Sequence, residues 1–188
     1  MIIGLTGKNA SGKGEVANYL KEKGFIYHSL SDIIREEATK MGVEHSRDNL
    51  IKLGNELRKK FVPAYLAQQI NKKIEQQLKK NKNLNFAVDS IRNPNEVKEL
   101  MKNKEFILVG VDAPIELRFK RLLERNRLGD AKTLEEFKQQ EQRENLKSST
   151  NQQLDATFGM AKKVIINDGS LKELHKKIDG LIKDLNNN

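Results

Sequence analysis

The chain opens with a short apolar run, Met1-Ile2-Ile3-Gly4-Leu5-Thr6, that passes directly into Gly7-Lys8-Asn9-Ala10-Ser11-Gly12-Lys13. The spacing is G-x-x-x-x-G-K, placed between a strand and the start of a helix. Few backbones can satisfy it. The glycines let the chain wrap so that its N–H groups converge on an anion. The helix that follows adds partial positive charge at its N-terminus. Lys13 supplies a full charge for the terminal phosphates. A plain glycine-rich turn would need none of this, and the strand-then-helix context favours the phosphate cradle. The Ser or Thr that often follows the lysine and touches Mg²⁺ is here Gly14, then Glu15. That substitution disfavours a GTPase-like switch and leaves phosphate oxygens and water to form most of a metal's shell.

Apolar and polar residues alternate in blocks along the rest of the chain. Strands are expected at 1–6, 25–27, 84–89, 105–112 and 163–167. Helices are expected at 13–23, 31–42, 94–102, 114–127, 133–147 and 170–185, with two or three more across 47–81 interrupted near Pro63. Ser31 or Asp32 is the expected cap of the second helix. Strands separated by helices imply a parallel sheet covered on both faces. The expected architecture is a single α/β domain over 1–188, three-layered, with five parallel strands. Residues 31–81 hold no strand and form a helical insert on the acceptor side, and 118–146 form a short lid.

Composition narrows the function classes. No cysteine is present, so disulfides and thiolate metal sites are excluded, as suits a reducing, cytoplasmic setting. No apolar run approaches the roughly 20 residues that a membrane span requires, and the first residues read as a strand rather than a leader. Lys+Arg 35 against Asp+Glu 26 gives a net charge of +9. Much of it sits on polar helix faces, and the field suits a multiply phosphorylated small molecule. Nucleic acid is the less favoured partner, because aromatics are 5% and Trp is absent. A monomer or weak oligomer is expected. His28, His45 and His175 are scattered without metal-ligand spacing.

Further segments complete a pattern. His28-Ser29-Leu30-Ser31-Asp32-Ile33-Ile34-Arg35 resembles the adenylate-kinase stretch Gly-Asp-x-x-Arg, with Ser31 for Gly. Asp89-Ser90-Ile91-Arg92, at a strand's C-terminal end, resembles Asp-Gly-x-x-Arg of such kinases. The run from Val111 to Arg121 looks like the entry to the lid of dephospho-CoA kinases. Arg121 and Arg125 share a helix face, and Arg127 and Arg143 follow. Asn167-Asp168-Gly169-Ser170 resembles the loop that lies against adenine there, and also reads as a plain turn with Ser170 as a cap.

The resemblance spans nearly the whole chain. It is to the P-loop NTPase fold, in the adenylate-kinase/dephospho-CoA-kinase branch of P-loop kinases. The nearest pattern is an archaeal-type, nucleoside-monophosphate-kinase-like family marked by GSGKGE, REEA and Asp-x-x-Arg. Here these read Ala10 to Glu15, Arg35-Glu36-Glu37-Ala38 and Asp89 to Arg92. The resemblance implies ATP and Mg²⁺ as cofactors. ATP would be held by Gly7, Lys8, Asn9, Ala10, Ser11, Gly12, Lys13, Gly14, Glu15, Asn167 and Gly169. Asp32 and Asp89 would hold the metal through water. Arg35, Arg58 and Arg92 would bind a phosphorylated acceptor, and Arg121, Arg125 and Arg143 would close over the transferring group with Lys13. The acceptor expected first is a nucleoside or deoxynucleoside monophosphate, with dephospho-CoA second. An ATPase switch that binds RNA or a protein is the reading from a different class.

Overall fold

The structure is a computed structural model that describes residues 1–126, 129–143 and 152–187. Five strands, β1 (Ile2–Gly7), β2 (Ile26–Ser29), β3 (Phe86–Asp89), β4 (Phe106–Asp112) and β5 (Lys163–Ile166), form one sheet in the order β2-β3-β1-β4-β5, with every pairing parallel. Side chains alternate across the pleat, so each strand feeds two cores. Ile2, Phe86, Val88, Phe106 and Leu108 face one way, where they meet Leu30, Ile34, Leu57, Leu66 and Ile70 of the helical insert. Ile3, Leu5, Ala87, Val109, Val111 and Ile165 face the other, against Val16, Leu20, Leu174 and Ile178. Those last four belong to α1 (Lys13–Glu22) and to the closing helix, numbered α9 below. The result is three layers of an α/β P-loop NTPase-like fold. Each fully buried aliphatic or Phe side chain contributes about 1.5–3 kcal/mol.

The insert consists of three helices, α2 (Leu30–Lys40), α3 (Arg47–Lys60) and α4 (Tyr65–Lys80), with Pro63 in the break between the last two. The sheet then resumes, followed by α5 (Pro94–Leu100), α6 (Ile115–Arg125), α7 (Leu134–Arg143), α8 (Leu154–Phe158) and α9 (Leu171–Asn186). The cap of α2 is Ser29 rather than Ser31 or Asp32. Its hydroxyl accepts from the Ser31 N–H at 3.2 Å while its own backbone is still extended. Strand β2 runs into α2 with no connector, so the last strand residue is the one available for capping. Capping boxes close the starts of α5 (Asn93 with Glu96) and α9 (Ser170 with Glu173). Leu122, Ala131 and Phe137 form a small third core that joins α6 to α7 and packs on Ala10. Among the described residues no helix is long and apolar enough to cross a membrane.

Candidate phosphate and acceptor site

The glycine-rich loop leaves the middle strand of the sheet. Gly7 pairs with Val111, and a Cβ on it would lie 2.0 Å from the Val111 carbonyl oxygen. The backbone then turns through positive φ at Ala10 (57°) and Gly12 (93°) into α1. At the start of α1 the Glu15 and Val16 N–H groups both turn back to the Gly12 carbonyl, at 3.0 and 3.2 Å, so the helix N-terminus begins on this turn. Lys13 Nζ donates to the carbonyls of Gly7 (2.7 Å) and Lys8 (3.1 Å), so the ammonium sits over its own loop.

A second element braces the loop. Asn167, at the end of β5, donates through Nδ2 to the Ser11 carbonyl at 3.0 Å. Arg121 Nη2 in turn donates to the Asn167 carbonyl at 3.1 Å. Helix α6 brings two more arginines to the same place. Arg118, only 3% exposed, donates to the carbonyls of Ala113 (3.0 Å) and Asn9 (3.3 Å), pairs with Glu141 and stacks on Phe137. Arg125 donates to both carboxylate oxygens of Asp130 at 2.8 Å and to Asn9 Oδ1 at 3.1 Å. Residues 118, 121 and 125 lie at i, i+3 and i+7, so one helix face carries all three. A solvated basic helix is therefore not what the sequence encodes here. Ser11 Oγ, Asn9 Nδ2 and Arg121 Nη1 are buried with no hydrogen-bond partner among the described residues. Three orphaned polar atoms around one loop are costly, at about 1–3 kcal/mol each, and a chain of phosphate oxygens fits that unmet demand. Gly169 sits beside the Glu173 carboxylate at the start of α9, one residue before the Ser170 cap. Arg127 and the side chain of Arg143 lie outside the described residues.

The two expected metal-side acids lie at the C-terminal ends of β2 and β3. Asp32 is exposed in the first turn of α2 and pairs with Arg35 at 2.8 Å. Asp89 is half-buried. It accepts from the Ser90 N–H at 2.6 Å and the Tyr27 hydroxyl at 3.3 Å. Burial, reinforced by the Asp89 charge, pushes the Tyr27 phenol up to about 12, so it stays a neutral donor. Ser90 has φ of 65°, a left-handed value that explains why the resembled pattern carries Gly there. Ser29 Oγ donates to Ser90 Oγ at 3.2 Å and braces the strained residue. Among the described residues no cluster of three His, Cys, Asp or Glu is built to hold a metal. Asp32 and Asp89 suit contact through metal-bound water.

Between insert and sheet lies a cavity of about 500 Å³. Arg35, Arg58 and Arg92, the three expected acceptor arginines, all line it. Arg58 departs from its expected role. It is 2% exposed, and its Nε and Nη2 donate to Glu96 Oε1 at 2.9 and 2.7 Å. Its fork grips a buried carboxylate of the protein itself rather than standing open to a ligand. His45 and Arg47 also line the cavity; the sequence marks His45 only as a scattered histidine and does not single out Arg47. The signal for Arg47 was present: residues 47, 51, 54 and 58 recur at helical spacing on one face of α3. His28 does not join this group; its Nε2 lies 2.8 Å from Gln77 Oε1 and its ring stacks near Phe86. His175 stacks on Tyr19.

Comparison with known proteins agrees with this architecture. The family model described as an AAA domain matches residues 3–147. A UPF0200 protein of Pyrococcus abyssi is 34% identical over 188 residues, covering 98% of this chain and 97% of that one. A UPF0200 protein of Sulfurisphaera tokodaii is 31% identical over 182 residues, with 97% and 96% covered. Among solved structures, TT1252 from Thermus thermophilus superposes with a TM-score of 0.61 at 21% identity, covering 98% of this chain and 97% of that one. Shikimate kinase from Acinetobacter baumannii, solved with shikimate, gives 0.54 at 20% identity, with 97% and 93% covered. At these identities the structural likeness speaks for the fold alone. The chain belongs to the UPF0200 family, and residues 3–147 form its AAA domain.

Proposed function

We propose that this protein is an ATP-dependent phosphotransferase that moves the γ-phosphoryl group to a small phosphorylated acceptor, a nucleoside or deoxynucleoside monophosphate first and dephospho-CoA second. The observation that carries the reading is the cavity. It lies at the C-terminal ends of β2 and β3, where open parallel sheets bind ligands. Arg35 and Arg92 line it, and Asp130 on its wall holds Arg125, which in turn reaches Asn9 of the phosphate loop. Its 500 Å³ falls within the usual range for ligands of nucleotide size. Leu30, Ile34, Leu50 and Leu66 give it an apolar wall for a base or other body, while the arginines suit a phosphate ester.

The chemistry asked of the side chains is modest. An acceptor oxygen, a phosphate oxygen of a monophosphate or a ribose hydroxyl of dephospho-CoA that gives up its proton, attacks the γ-phosphorus in line, the bond to the bridging oxygen breaks, and ADP leaves. Lys13 and the loop amides hold the donor phosphates, and Arg121 meets the developing charge through the nitrogen that lacks a partner. Arg35 and Arg92 hold the acceptor phosphate at the reacting distance. A magnesium ion would neutralise donor oxygens, with Asp32 and Asp89 holding its water shell. The resemblance of fold to shikimate kinase supports phosphoryl transfer without naming the acceptor.

The test is ADP release across nucleoside monophosphates, deoxynucleoside monophosphates and dephospho-CoA. One acceptor should raise turnover well above the rate with ATP alone. Turnover indifferent to all of them, but raised by RNA, would replace this reading with an RNA-stimulated ATPase.

A further inference from the structure

The carboxylate of Glu96 is completely buried, yet its two oxygens accept four hydrogen bonds. Oε1 accepts from Arg58 Nε (2.9 Å) and Nη2 (2.7 Å). Oε2 accepts from the backbone N–H of Arg92 (3.0 Å) and of Asn93 (3.1 Å). The two oxygens thus face two different parts of the molecule. One holds α3 of the insert, and the other holds the loop that carries Asp89, Ser90 and Arg92 out of β3.

A helix cap explains only half of this. The capping box of α5 needs the second oxygen, and a neutral Gln could serve it. The Arg58 pair is a separate feature. Buried ion pairs are poor stabilisers, since apolar replacements of both partners are often neutral or better. What two guanidinium N–H groups converging on one carboxylate oxygen do supply is fixed geometry. Here it fixes the distance between the insert and the loop. Arg92 is set from a second side as well: Nη1 donates to Gln152 Oε1 at 3.2 Å, and the Gln153 N–H donates to its carbonyl at 2.8 Å. The insert is tied to the same helix once more, where Asn71 Nδ2 of α4 donates to the Glu99 carbonyl at 3.0 Å.

We propose that Glu96 and Arg58 are positioning residues of the acceptor site: their buried pair pins α3 to the β3–α5 loop and so sets where Arg92 presents its guanidinium to an acceptor phosphate. The inference rests on the cavity being the acceptor site. Its consequence is that the acceptor side is built rigid, with the insert fixed to the core at this pin.

The test is calorimetric titration of AMP, GMP, CMP and UMP, and separately of MgATP, into wild type, Arg58→Lys, Arg92→Ala and the double variant, with the tightest monophosphate as the probe. Arg58→Lys keeps the buried charge paired but cannot set two planar donors on Glu96 Oε1 at once. It should weaken monophosphate binding about tenfold while MgATP affinity moves less than twofold. In the Arg92→Ala background the same substitution should cost nothing further, because Arg58 acts through Arg92. Should Arg58→Lys fold poorly, Arg58→Met with Glu96→Gln keeps the capping box and replaces the ion pair by a neutral contact, and the same tenfold loss is expected. Monophosphate affinity within twofold of wild type in either variant, or equal losses with and without Arg92, overturns the positioning role. If wild type binds none of the four, deoxynucleoside monophosphates and dephospho-CoA replace them as probes; binding of none of these, or binding by Arg92→Ala equal to wild type, fells the acceptor-site reading itself and takes this inference with it.

Discussion

Replacing Gly12 by alanine tests whether the phosphate loop and the β5–α9 loop are one built unit. Gly12 has φ of 93°, and a Cβ there would stand 2.1 Å from Asn167 Nδ2. The left-handed backbone alone costs a residue with a side chain roughly 1–2 kcal/mol. Asn167 must also move, which breaks its buried 3.0 Å bond to the Ser11 carbonyl. Losing that bond and leaving the carbonyl unpaired adds about 1–3 kcal/mol. The total, about 2–5 kcal/mol, is a large share of the roughly 5–15 kcal/mol that holds a domain together. Gly14 makes the control, being two residues on, helical, and with nothing within 4 Å of an added Cβ. Gly14→Ala should leave stability unchanged or raise it by about 0.5 kcal/mol. Urea unfolding reads both. With a slope of about 1–3 kcal/mol per molar, Gly12→Ala should lower the midpoint by about 1 M or more. Equal midpoints for the two variants would show that Asn167 does not brace the loop as described.

Lys13→Ala should abolish phosphoryl transfer while the protein stays folded, with its urea midpoint lowered by no more than about 1 M, because the ammonium's bonds to the Gly7 and Lys8 carbonyls lie within its own loop; retained turnover would remove Lys13 from the donor site. Ser90→Val should destabilise by about 1–3 kcal/mol, since a β-branched residue tolerates φ of 65° poorly, whereas Ser90→Gly should be nearly neutral; unfolding curves that rank the two the other way would contradict the strained loop. Tyr27 gives the pH dependence. Its folded value of about 12 stands above the ordinary 10.0, so its contribution to stability is complete below pH 10 and declines between pH 10 and 12. A difference titration against Tyr27→Phe should show a phenol ionising near the upper value, and a difference curve centred at 10 would rule out the buried donor to Asp89.

Much of the fold follows from periodicity that survives in the linear chain. The apolar runs at Ile2, Phe86 and Phe106 feed both faces of the sheet, and such runs announce buried parallel strands. The insert was readable because 31–81 shows helical spacing and no strand-like run. Helix α8 was not, because five residues are too few to display a period. The Ser29 cap was missed because it also ends a strand, and only the tertiary path shows the two elements meeting without a connector. In the site, local motifs marked Lys13, Asp89 and Arg92. The fate of Arg58 was invisible for a physical reason: its partner Glu96 lies 38 residues away, and a glutamate in the first turn of a helix reads as an ordinary cap residue. Arg118 belongs to the same group, since its partner Glu141 comes from a helix 23 residues on.

The most direct test of the account follows the label from γ-³²P-ATP in the presence of each candidate acceptor and magnesium. The account predicts radioactivity in an organic phosphate that runs as a diphosphate of the acceptor, or as coenzyme A, with loss of that product in Arg92→Ala. Label that appears only as inorganic phosphate, at a rate no acceptor changes, would contradict it.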